Sequence, residues 1–125
     1  MRCDVHDSEW VHQGFLRVKR YRLTHSSFKG GDCAQIVRER VEAPNAVSVL
    51  LYDPDAHAVV LIEQFRIGLM ESGAGAWVLE TIGGYQEAGE AAAAVAHRET
   101  REEAGLAVDD LLPITRICVS PGFSS

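Results

Sequence analysis

Three glutamates, at 99, 102 and 103, are the residues of this chain best placed to do chemistry. Side chains at i, i+3 and i+4 of a helix share one face, so the segment HRETREEAGL is predicted to project Glu99, Glu102 and Glu103 together. Three like charges at that spacing repel unless a cation neutralises them. Mg²⁺ suits the set, with Mn²⁺ as its substitute, because it takes oxygen ligands, uses one or two carboxylates plus substrate phosphates, and keeps several waters. Gly83 and Gly84 lie upstream and permit a backbone approach that a Cβ would block. Arg98 and Glu102, four apart, are expected to pair along the helix. Glu90, near the expected helix start, suits the positive end of the helix dipole. The same glutamates also read as a solvated acidic face paired with Arg98 and Arg101.

The elements that must carry these residues follow from local pattern. Residues 14–24 alternate apolar with basic or polar side chains, reach turn chemistry at Lys29-Gly30-Gly31-Asp32, and are followed by an extended run over 35–41, a hairpin signature. Phe15, Val18, Tyr21 and Leu23 are expected on one side of it. Pro44-Asn45 breaks the pattern, which gives a β-rich N-terminal arm over 1–44 and a second domain over 45–125. Ala46–Tyr52 and Ala58–Phe65, rich in Val, Leu and Ile around Asp53-Pro54-Asp55, read as a second hairpin with buried strands. Residues 70–76 form a Gly-rich loop, and Trp77–Thr81 is a short strand leading to the glycines. The helix is predicted over about 88–104 from its run of alanines, with Gly105 as its left-handed stop. Ile114–Val119 reads as one more strand.

Composition sets the class. With 125 residues and 46% hydrophobic content, the chain has material for one domain of ordinary size, or a smaller domain and an appendage. No apolar run approaches the roughly 18 residues of a membrane span, and the first ten residues lack the centre of a signal peptide. The expectation is a cytoplasmic protein with no membrane partner. A net charge of −6 argues against a nucleic-acid surface, although a metal and a few arginines can reverse the local sign for a phosphate ligand. Cys3, Cys33 and Cys118, an odd and scattered set, are expected to be reduced and packed as small apolar residues.

The fixed letters Gly84, Glu90, Arg98, Glu99, Glu102, Glu103 and Gly105 follow the spacing G-x5-E-x7-R-E-x2-E-E-x-G. That pattern resembles the box of the Nudix hydrolases, which cleave a nucleoside diphosphate linked to another group. At about 7% usage per letter, these positions recur by chance at roughly one in 10⁸ per start. Thr100 departs from it: the family expects an aliphatic residue, and threonine adds a hydroxyl that needs a partner. The resemblance implies an α/β/α sandwich with a mixed sheet, a metal held by the Gly83 carbonyl, Glu99 and Glu103, and Arg98 and Glu102 supporting the carboxylates. Chemistry at a diphosphate needs an attacking water, charge relief and a stabilised leaving group, all of which metal ions provide.

Outside the box, the segments RYRLTH, VRERVE, VVLIEQFRIG, WVLETIGG and SPG resemble the ADP-ribose pyrophosphatase branch. By that resemblance the substrate is a nucleoside diphosphate sugar, ADP-ribose giving AMP and ribose 5-phosphate. The N-terminal strands would build a homodimer, with Arg38 and Arg40 on substrate and Phe28 against adenine. Arg66 ends an apolar strand where a buried arginine needs a partner, and the resemblance puts it at the substrate. A salt bridge from Arg66 to Glu63 or Glu71 is the bland alternative, and Glu63 and Glu80 both stand as groups that could orient it or support the metal. The branch continues past SPG with strands, a helix and a loop bearing its catalytic base, so the C-terminal part of the fold is expected to be absent, leaving Glu102 or another box carboxylate as base. Another nucleotide sugar such as GDP-mannose, or a non-catalytic nucleotide-sugar-binding module, are the rival readings.

Overall fold

Cross-strand charge and aromatic pairs, rather than a buried face, hold together the first sheet. It consists of Cys3–Gln13 (β1), Arg17–His25 (β2) and Ile36–Val41 (β3), antiparallel in the order β1-β2-β3. Tyr21 lies opposite Arg38, and Lys19 opposite both Trp10 and Arg40. Arg20 bridges Glu9 at 3.2 Å and Glu39 at 2.8 Å, while the Arg17 guanidinium sits 4.4 Å from the centre of the Trp10 ring. Such cross-strand pairs contribute about 0.2–1 kcal/mol each. The predicted β2–β3 hairpin and its glycine turn are present, with Gly30 at φ 88° and Gly31 at φ 72°. β1 was not foreseen: its residues are almost all exposed, so no apolar periodicity marks it. Two other expectations fail here. Phe15 is 94% exposed between β1 and β2, and Val18 falls on the opposite side of β2 from Tyr21 and Leu23, as a period of two requires.

The computed structural model describes residues 1–124, which divide into two units: residues 1–44 with the stretch from Thr115, and residues 45–114. The second unit contains Ala46–Val49 (β4), Leu51–Asp53 (β5), Ala58–Val60 (β6), Ile62–Phe65 (β7), Trp77–Glu80 (β8), Ile82–Tyr85 (β9) and the helix Ala92–Ala104 (α1). The chain is thus α/β and strand-rich, with one α-helix among the described residues. No helix among them is long and apolar enough to cross a membrane.

Pairing in this unit is less local than the sequence pattern implied. Only β5 and β6 form the expected hairpin, around a turn in which Asp53 Oδ1 accepts from the Asp55 and Ala56 amides. β4 pairs with β9, and β7 with β8. β6 is exposed throughout, so its Val-rich character did not report burial. α1 begins four residues later than predicted because Gly89 takes φ 80° and Glu90 closes a turn onto Glu87 before the helix. Its end is as predicted: Gly105, at φ 67°, donates to the Arg101 carbonyl. Residues 114–119 are not a strand. Ile114, Ile117 and Val119 are exposed, and with no neighbouring strand among the described residues to pair with, their β propensity has nothing to act on.

Val95, Ala96, Glu99 and Thr100 form the buried stripe of α1, which packs on β9 and β4. Val49, Leu51, Ile82 and Ala96 form the core cluster, flanked by Val47, Ile62, Ala104, Val108 and Leu111. Fully burying a side chain such as Ile82 contributes about 1.5–3 kcal/mol. Thr100 is fully buried and its Oγ1 has no hydrogen-bond partner. An orphaned hydroxyl costs about 1–3 kcal/mol, so Thr100→Val, close in shape, is expected to raise stability by about 1–2 kcal/mol. Urea unfolding measures this, and a lowered midpoint would show that the hydroxyl is satisfied after all.

Candidate functional site

α1 and β9 bring most of the box together. Glu99 emerges from the buried stripe with its side chain 11% exposed, and its carboxylate lies against the Cα of Gly84. A methyl placed on Gly84 would stand 1.7 Å from Glu99 Oε1, so glycine here makes room for a carboxylate. The sequence had suggested a different use, room for a main-chain carbonyl. One turn on, Glu103 is held at both oxygens: Oε1 accepts from Gln64 Nε2 at 2.7 Å and Oε2 from the Gly83 amide at 3.0 Å. Glu102 points elsewhere, with its side chain 60% exposed. The three carboxylates therefore do not project together as predicted. Glu99 and Glu103, four apart, share the inner side, and Glu102 stands on the outer one.

Arg98 is the hub of the box. Its Nε and one terminal nitrogen donate to the two oxygens of Glu90, both at 3.1 Å, and that nitrogen also donates to the Tyr85 carbonyl at 3.1 Å. The other terminal nitrogen donates to Glu99 Oε1 at 2.6 Å and stands 3.6 Å from Glu102. The expected Arg98–Glu102 pair exists but is the longest of these contacts. Glu90 is not at the helix dipole, as its place in the sequence implied. It precedes α1, accepts from the Glu87 amide at 3.0 Å and ties the incoming loop to Arg98.

The Arg98 hydrogen bonds, and then the Glu87 amide, hold the Glu90 carboxyl below its ordinary value, and Glu90 in turn helps push Arg98 further up. A depressed carboxyl stabilises the fold above the unfolded value of 4.5, and that contribution is lost as pH falls through the folded value. The stability difference between the native chain and Glu90→Gln is therefore expected to be constant at neutral pH and to close in acid below 4.5. Denaturant titrations at several pH values test it, and a gap that widens in acid contradicts the assignment.

Arg66 is not buried, contrary to the sequence expectation. Its side chain is 52% exposed, and it pairs with Glu80 at 2.5 Å, so of the carboxylates considered from sequence Glu80, not Glu63 or Glu71, is its partner. The hydrogen bonding to Glu80 raises the Arg66 pKa, against the opposing effect of burial, with smaller contributions from the charges of Glu80 and Glu103. Arg38, Arg40 and Phe28 lie in the N-terminal unit. Arg40 pairs with Glu42 at 2.7 Å and stacks over Tyr21, Arg38 donates to the Val37 carbonyl, and Phe28 is exposed. Tyr21 also donates to Glu42. Burial alone would raise the Glu42 carboxyl, but Tyr21 and Arg40 bring it below the ordinary value. Cys3 and Cys118 are exposed and Cys33 is half-buried; all are free thiols, and the expected packing of the first two does not occur. Gln64 was not singled out from sequence, although its alternation with Ile62 and Arg66 along β7 was the available signal.

Among the described residues no group of three or more His, Cys, Asp or Glu side chains converges as a metal cage. The donor set still fits a hard divalent cation, which needs only one or two carboxylates when substrate phosphates and water complete its shell. The pocket that Gly84 leaves for Glu99 is the structural feature that favours this fit.

The family model for the NUDIX domain matches residues 42–123. The chain is 37% identical over 122 residues to an ADP-ribose pyrophosphatase of Haemophilus influenzae, an alignment covering 95% of this chain and 56% of that one. Against the ADP-ribose pyrophosphatase of Escherichia coli (strain K12) it is 38% identical over 117 residues, covering 94% and 56%. A GDP-mannose pyrophosphatase of Citrobacter koseri is 32% identical over 108 residues, covering 86% and 54%. The chain thus spans about half the length of the curated relatives it matches. A crystal structure of an ADP compounds hydrolase superposes with a TM-score of 0.73 at 22% identity, over 100% of this chain and 63% of that one, which speaks for the fold.

Proposed function

The chain belongs to the Nudix family, and from that premise we propose that it hydrolyses the diphosphate bond of a nucleoside diphosphate sugar, ADP-ribose foremost, to AMP and ribose 5-phosphate. The observation that carries this reading is the paired seating of two carboxylates, Glu99 on bare Gly84 and Glu103 between Gln64 and the Gly83 amide. ADP-ribose is favoured over GDP-mannose because the relatives named for it are more similar to this chain.

Glu99, Glu103 and the Gly83 carbonyl are the groups that would hold the metal, magnesium with manganese as substitute. Both main-chain groups of a strand residue face the same edge, so the amide bond from Gly83 to Glu103 turns the Gly83 carbonyl to that side too. A divalent cation supplies Lewis-acid charge relief and a more acidic water. Arg98 keeps the Glu99 carboxylate in place and locks the loop through Glu90. Arg66, aligned by Glu80, offers a guanidinium fork suited to phosphate oxygens. Glu102, outermost of the box acids, is the carboxylate with room to take up a proton. The N-terminal sheet is assigned to a homodimer interface, with Arg38, Arg40 and Phe28 meeting the adenosine end of the substrate, and the free thiols favour the cytoplasm.

AMP release from ADP-ribose, with GDP-mannose in parallel, tests the reading with magnesium present and then chelated. Metal-dependent AMP is expected. ADP-ribose bound without turnover at saturating magnesium would instead make the chain a sensing module.

A further inference from the structure

We infer that Gln64 is the positioning residue for Glu103, fixing the plane of that carboxylate without cancelling its charge. The inference rests on the metal role proposed for Glu103. β7 alternates, so Ile62 and Gln64 share one side of the strand, and Arg66, just past its end, keeps an extended backbone (φ −120°, ψ 106°) that carries the alternation on; Ile62 packs on the core and Gln64 is half-buried. From there the Gln64 amide reaches Glu103 Oε1 at 2.7 Å, while the Gly83 amide takes Oε2 at 3.0 Å. One donor on each oxygen leaves the carboxylate little freedom to rotate. An ionised carboxylate has about four lone-pair sites, so each oxygen keeps a second site for a cation.

The chemistry of position 64 follows from its neighbours. Arg66, two residues along the same side, is engaged by Glu80 through Nε at 3.1 Å and a terminal nitrogen at 2.5 Å. Glu80 sets the direction of that guanidinium, and the group that donates to Glu103 Oε1 is the neutral amide of Gln64. A cation at position 64 would pair with Glu103 and compete with a divalent ion, whereas an amide orients the same oxygen and leaves its full charge. Of the two clasps on Glu103, the Gly83 amide belongs to the main chain, so Gln64 is the one that substitution can open.

The test is Mn²⁺ binding by the 125-residue chain, read from the paramagnetic resonance of the free ion, together with the thermal midpoint. Gln64→Met removes the donor at nearly constant volume, and Gln64→Asn keeps the amide but draws it out of reach. Both are expected to bind Mn²⁺ about 10–100-fold more weakly, the usual effect of removing a hydrogen-bond partner from a metal ligand. A purely architectural glutamine would lower the midpoint and leave Mn²⁺ affinity unchanged, and that result overturns the inference. Glu103→Gln is the control. If it loses Mn²⁺ while both position-64 variants keep it, only the positioning role fails. If it binds like the native chain, the metal role of Glu103 fails, and the inference with it.

Discussion

Glu103→Gln is expected to reduce turnover of ADP-ribose by at least about a hundredfold while the chain stays folded. The carboxylate accepts from Gln64 and from the Gly83 amide. A glutamine at 103 keeps one acceptor oxygen, so one of those clasps survives and the other meets an N–H. The loss is about one hydrogen bond, roughly 1 kcal/mol, partly offset by relief of repulsion with Glu99 and Glu102. Catalysis has no such offset, since an amide oxygen at 103 lacks the negative charge with which a carboxylate holds a divalent cation and offsets its charge. Steady-state rates at saturating magnesium, with circular dichroism for folding, check both halves. Native turnover in this variant would withdraw the role assigned to Glu103.

Gly84→Ala is the second large effect, and it works by space alone. The added methyl would fall 1.7 Å from Glu99 Oε1 and 2.0 Å from its Cδ, a clash that only displacement of the carboxylate relieves. The end of a glutamate side chain swings away easily, so the fold survives, but Glu99 leaves its seat and its 2.6 Å contact with Arg98. Activity is expected to fall by about a hundredfold or more, as for loss of a ligand, with a small change in thermal midpoint. Gly83→Ala is the contrast. Its methyl would meet the Val47 carbonyl at 3.0 Å, and a paired main-chain oxygen cannot swing aside, so stability suffers there first. A Gly84→Ala variant whose thermal midpoint falls sharply while its specific activity below that midpoint is native would refute this division.

The box was legible because its fixed letters encode local geometry: the spacing of Glu99 and Glu103 is one helical turn, and Gly105 must be the residue that adopts a positive φ. The start of α1 was not, because alanine propensity cannot foresee that Gly89 and Glu90 close a separate turn. Glu102 was misplaced because i+3 and i+4 share a face only approximately, and in this helix the boundary between core and solvent runs between 102 and 103. Strand pairing was least legible. β4 meets β9 across a long stretch of sequence, and β1 holds its place through ion pairs on exposed faces, where no pattern of burial exists to be read. The Arg66–Glu80 pair stood among several candidates because short-range spacing does not reveal which strand lies beside β7.

The two sets of contacts that grip the acidic residues differ in how much chain each must span. Arg98 finds Glu90 across 8 residues, whereas Gln64 finds Glu103 across 39. Closing a loop costs entropy that rises with its length, and distant contacts slow the search. During refolding, the arginine clamp therefore closes early with its helix, and the glutamine clasp closes only when β7 docks, so that binding competence returns after helicity does.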